Sequence, residues 1–192
     1  YVNCRAVNPR RIDIRAMLSF CFKAVKKRDD EILCSSDGAG IQTLAKEYDF
    51  TSLTGVCEKA FFMSEVVELN DEKKTVSQIV NVSSYAIAGD VKIINNKALV
   101  KGDMAVKIYY VAEDTGAIEN IEHLMPISQI IELDGLNENS LYGLKLNVCS
   151  CEVNAKADSS GNMRLIDLNA RINAFLISFE ENPLSIIKDA YS

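Results

Sequence analysis

The chain has little of what catalysis usually needs. It contains one histidine, His123, and no serine lies in a GxSxG elbow, so no ready-made hydrolase triad is written in it. There is no CxxC motif and no Cys/His cluster. Cys149-Ser150-Cys151 is therefore at most half of a structural zinc site, which needs about four ligands. Gly38-Ala39-Gly40-Ile41-Gln42-Thr43 lacks both the third glycine of a dinucleotide fingerprint and the GK[ST] ending of a P-loop, and it reads as loop geometry. No apolar run reaches the ~18 residues that suggest a membrane helix. Low-complexity tracts and long Pro/Gly linkers are missing too. Tyr1-Val2-Asn3-Cys4 has no initiator Met, basic n-region or apolar h-region, so the chain is expected to be cut from something longer.

What is present suits a folded domain. With 192 residues, 48% hydrophobic and 25% charged, it can bury one good core or two small ones, and global disorder is excluded. The net charge is −6, and residues 1–89 hold twelve basic and twelve acidic groups against nine and fifteen in the remainder. An acidic balance opposes binding to nucleic acid or anionic lipid. Lys26-Lys27-Arg28 is cancelled at once by Asp29-Asp30-Glu31, as at a solvated hairpin tip. The six cysteines are too few and too irregular for a disulfide scaffold; Cys21, between Phe20 and Phe22, reads as a packed thiol, and a reducing compartment is expected.

Period-two alternation dominates. Met104, Val106, Ile108 and Tyr110 share one strand face. Ile166, Leu168, Ala170, Ile172, Ala174 and Leu176 form another, opposite Asp167, Asn169, Arg171 and Asn173. Leu144, Leu146 and Val148 face inward, and the polar cluster 158–162 joins that strand to the next, making residues 142–179 a β-hairpin. Residues 112–116 supply a second hairpin turn. Helix signals are few: Ile41 to Tyr48 carries apolar residues at i, i+3, i+4 and i+7, and Pro183 to Tyr191 suits a short terminal helix.

A repeat is visible. At a shift of 86 positions, Arg11, Ile14, Arg15 and Ala16 fall on Lys97, Val100, Lys101 and Gly102, and Leu18, Phe20 and Phe22 on Met104, Val106 and Ile108. At a shift of 64, Ser64, Glu68 and Leu69 fall on Ser128, Glu132 and Leu133. The expected fold is mainly β and sandwich-like: two related antiparallel strand-rich units, 1–74 and 75–192, with one inserted helix and a short C-terminal one. The units could equally form one compact pseudo-duplicated domain, with residues 70–74 as the soft boundary.

Candidate chemistry is sparse. His123 reads as an exposed residue beside the acidic stretch Glu119–Glu122. Cys149 and Cys151 fall opposite the Leu146/Val148 face and should be at least partly exposed. Tyr109-Tyr110 and Phe61-Phe62 each put one ring on either face of a strand; the outward ring could anchor a partner or pack across strands. Lys97, Lys101, Gly102, Pro126 and Ser128 serve the fold, with Gly102 at a bulge or close backbone approach and Pro126 at a strand edge. No catalytic, cofactor-binding or metal-ligating residue is assigned.

The blocks Val91 to Gly102, Lys107 to Val111 and Met125-Pro126-Ile127-Ser128-Gln129-Ile130-Ile131-Glu132 resemble the SPOCS domain of clostridial spore-coat and spore-envelope assembly proteins of the SipL type. Val7 to Ala16 and Ile41 to Leu44 are similar to the linked upstream segment, so the resemblance spans most of residues 7–179. Ile127 stands where the family often has an aromatic. Many members also carry a LysM peptidoglycan-binding module, which is not found here, so either the chain is a fragment or the wall contact belongs elsewhere. The resemblance implies a non-enzymatic scaffold or adaptor that joins spore-envelope layers through protein contacts, without a cofactor. It would act in the mother-cell cytoplasm at the forespore surface, with the coat-basement morphogenetic ATPase as partner and self-association as a further mode. Binding to nucleic acid and membrane insertion are not expected. The alternative is a small-ligand or cell-wall-glycan module; an enzyme using Gly38–Gly40 or His123 is the third reading.

Overall fold

A computed structural model describes residues 2–20, 22, 24, 26, 31–35 and 40–191. Cys21, most of the Lys26–Arg28 tip and Gly38-Ala39 fall outside the described residues. The elements are β1 (Val2–Asn8), β2 (Arg11–Ala16), β3 (Gln42–Glu68), β4 (Val76–Ile94), β5 (Lys97–Ala112), β6 (Ile118–Glu132), β7 (Leu141–Ala157) and β8 (Met163–Tyr191). They form three antiparallel sheets: β1-β2, β3-β8-β7 and β4-β5-β6.

The alternation predicted from sequence becomes the core. Met104, Val106, Ile108 and Tyr110 on β5, and Ile166 through Leu176 on β8, are all buried and belong to one cluster that both three-stranded sheets share. The central strands β5 and β8 carry most of it, because each is flanked by a strand on both sides. Ser178 continues the buried face of β8, and Thr54 Oγ1 donates to its Oγ at 2.8 Å, so this buried hydroxyl is satisfied. The edge strands meet at β4 with β7 and at β3 with β6.

Turn chemistry sets the register. Asn95 and Asn96 both have positive φ (41° and 64°), as a two-residue hairpin turn between β4 and β5 requires. The turn at 112–116 closes by the Gly116 N–H donating to Ala112 O at 2.9 Å. The link between β3 and β4, which composition marks as soft, is clamped. Arg164 Nη2 donates to Leu69 O at 3.0 Å and Asn70 O at 2.8 Å, and Nη1 to Lys73 O at 3.3 Å.

Both helix expectations are corrected, and no helix occurs among the described residues. Residues 42–53 are the start of β3 and pair with residues 179–191 at the end of β8, with Tyr48 opposite Leu184 and Lys46 opposite Ile186. A four-residue apolar spacing over eight residues is a weak local signal, and a partner strand far away in sequence overrides it. Pro183 is accommodated because β7 stops opposite Phe179, leaving the far edge of this ribbon outside the three-stranded sheet.

Among the described residues, the strands of 1–74 do not pair among themselves beyond β1-β2. β3 pairs with β8 instead, so sheet β3-β8-β7 joins strands from both sequence units. Leu18, Phe20 and Phe22, expected to continue a strand as Met104 to Ile108 do, lie outside any strand and are exposed.

Candidate interaction surfaces

The outer face of β4-β5-β6 carries the clearest exposed apolar surface of the sandwich. Pairing sets Tyr85, Ala105 and Leu124 in one cross-strand row and Ile87, Asp103 and Pro126 in the next. Tyr85 and Ile87 are each 58% exposed and Leu124 63%. The adjoining row is a directly opposed ion pair, Lys107–Glu122 at 2.6 Å, and a second such pair, Lys97–Glu132 at 2.9 Å, closes the same face at the hairpin end of β5. Lys107 is pushed up and Glu122 down, first by the hydrogen bond between them and then by charge, and Glu132 is lowered by its hydrogen bond to Lys97 and then by charge. Ser83, Tyr85, Ala105, Lys107, Glu122 and Leu124 line a shallow groove of about 390 Å³ here. Apolar side chains rimmed by such pairs are suited to contact with another macromolecule.

The outer face of β3-β8-β7 is more polar. Phe62 is 77% exposed there, with the Arg171 guanidinium 5.8 Å from its ring centroid. Phe61 is core. Tyr110 is likewise core, its hydroxyl donating to Glu119 Oε2 at 2.9 Å; burial, then that bond, pushes the phenol up to about 12. Tyr109 is half-buried beneath Lys107. Of the two aromatic pairs, Phe62 alone presents a freely exposed ring.

His123 is corrected. It shares the inward face of β6 with Ile121, Met125 and Ile127 and lies against edge strand β3, its Nε2 3.1 Å from Glu65 Oε1. That nitrogen is buried and makes no hydrogen bond. Lys59, also on β3, donates to Ile130 O at 2.7 Å. Charged side chains turned inward at a strand edge discourage unwanted edge pairing. The signal was in the sequence: His123 has the parity of Ile121, Met125 and Ile127. A groove of about 400 Å³ opens beside it, with Val67, Glu68, Asn70, Lys73, Asn120 and Glu122 among its walls.

The paired thiols separate. A register shift between Val148 and Ser150 puts Cys149 at a bulge, exposed, and turns Cys151 inward against the core, opposite Ala170. Burial raises the Cys151 thiol, partly offset by a hydrogen bond with Ser84. One inserted residue reverses the facing of every residue after it, so the expectation of a shared face fails. Among the described residues no cluster of three potential metal ligands occurs. Gly40 has φ 87° and precedes β3. Gly102 and Pro126 lie as expected: a Cβ on Gly102 would meet Ile87 O at 2.1 Å, opposite the bulge at 88–91, and Pro126 is on edge strand β6.

The fold and its surfaces define an antiparallel β-sandwich whose distinctive exposed features are faces rather than a deep cleft. Residues 75–156, from the start of β4 to the end of β7, match the family model described as SipL, SPOCS domain, and this segment is similar to that domain. The upstream blocks Val7–Ala16 and Ile41–Leu44 lie outside the match. No curated protein and no solved structure matches the chain. Among the described residues no helix is long and apolar enough to cross a membrane.

Proposed function

We propose that this protein is a non-enzymatic contact module of spore coat or envelope assembly, acting as scaffold or adaptor between protein layers. The SPOCS match over residues 75–156 supports the sporulation setting. The observation that carries the contact role is the exposed Tyr85, Ile87 and Leu124 face on that same segment. The module works in the mother-cell cytoplasm at the forespore surface, against a coat-basement morphogenetic ATPase, and requires no cofactor. A small-ligand or glycan module would instead want a pocket lined by several aromatics, and the groove on this face offers one, Tyr85.

The test is a pull-down from sporulating cells with the complete protein, wild type against Tyr85→Ser/Leu124→Ser. Recovery of coat or envelope components by the wild type, reduced in the double variant, is expected. Recovery of none by the wild type would sink the reading.

A further inference from the structure

The described residues contain three β-hairpins, β1-β2, β4-β5 and β7-β8, and among them only the last two have a third strand. β6 lies beside β5 and β3 beside β8, in matching register: Glu132 opposes Lys97 and Ser128 opposes Lys101, while Glu68 opposes Leu165 and Ser64 opposes Asn169. Among the described residues the far edge of β2 has no strand beside it.

β2 nevertheless has the sequence of a central strand. Ile12-Asp13-Ile14-Arg15-Ala16 parallels Ile166-Asp167-Leu168-Asn169-Ala170, the part of β8 that β3 covers. Arg11 and Arg15 take the positions of Lys97 and Lys101 on β5. Beyond Ala16, the residues Leu18, Phe20 and Phe22 continue the spacing of Ile172, Ala174 and Leu176. On β8 those six positions are at most 3% exposed, whereas Ile12, Ile14, Leu18, Phe20 and Phe22 are 66–89% exposed. Ile12 and Ile14 on β2, with Leu18, Phe20 and Phe22 in the chain beyond its end, leave large apolar side chains in water, which marks a surface awaiting cover.

We propose that the open edge of β2 takes a third strand donated by another protein chain. Both strands of this chain that fit the role are engaged, β3 by β8 and β6 by β5. The register of the two complete units specifies the donor's chemistry. It is an extended segment antiparallel to β2, apolar at alternate positions, with a carboxylate opposite Arg11 and a small hydroxyl opposite Arg15. Charge agrees, since residues 2–16 carry Arg5, Arg10, Arg11 and Arg15 against Asp13 alone. Main-chain hydrogen bonds would supply affinity and the side-chain pairs selectivity. In the template the Lys97–Glu132 pair closes to 2.9 Å. This rests on the contact-module reading and names a second surface for it.

The probe is a labelled peptide with the sequence of residues 125–134, which carries Ser128 and Glu132, titrated against the full chain by fluorescence anisotropy. Saturable binding is expected, weakened roughly tenfold by Arg11→Glu/Arg15→Glu through two reversed cross-strand pairs. A Glu132→Lys peptide should regain affinity for the Arg11→Glu chain. Both arginines are exposed, so an unchanged melting curve checks that the variants fold. Absence of binding, or equal binding to wild type and double variant, would overturn the proposal. So would a homodimer that Arg11→Glu dissolves, since it would assign the strand to a second copy. A failed titration beside a successful pull-down removes the donor strand and leaves the contact module standing.

Discussion

At Gly102 a methyl group would sit 2.1 Å from the Ile87 carbonyl oxygen and 3.1 Å from Ala88 Cα, both backbone atoms that cannot rotate away. Gly102→Ala should therefore destabilise by about 3 kcal/mol, the upper end of ordinary overpacking costs, read as a lower urea midpoint at unchanged slope. Tyr110 sets a pH dependence. Its phenol is raised from 10.0 to about 12 in the folded chain, so between those values the unfolded chain gives up a proton that the folded one keeps. The stabilisation is whole below pH 10 and falls as pH rises towards 12. Urea midpoints measured from pH 9 to 12 should fall less steeply in Tyr110→Phe than in wild type; equal slopes would remove this residue from the account.

Among the elements, β7 depends most on a feature invisible in its residues. Leu144, Leu146 and Val148 face the core as alternation predicts, but past the bulge Cys151, Val153 and Ala155 take over that face. The thiols test it: at pH 8 a thiol reagent followed by peptide mapping should label Cys149 well before Cys151, which is half-buried and raised by burial. Equal rates would mean the bulge is absent. The ribbon of β3 with the end of β8 makes a parallel point. Its residues 41–48 carry helical spacing, yet strand pairing across more than a hundred positions decided their state.

On the scale of the whole molecule, β3 and β8 tie residues 42–68 to 165–191, and both three-stranded sheets contribute to one core. Unfolding should then be a single transition. Leu168→Ala, at a fully buried position, should cost about 2–5 kcal/mol and shift the melting curves of probes in both sheets together; separate shifts would contradict the shared core. The sequence by itself determined the mainly β class, the inward faces of β5 and β8, the turns at 112–116 and 158–162, the tight site at Gly102, and the family resemblance of its middle segment. These are legible because alternation, turn chemistry and motif blocks are local properties of the chain. Tertiary structure alone decided that β3 joins β8 and, among the described residues, leaves β1-β2 as a two-stranded sheet, that His123 turns towards Glu65, and which thiol is covered. Each of those depends on which distant strand arrives alongside and in what register, and no local pattern encodes either.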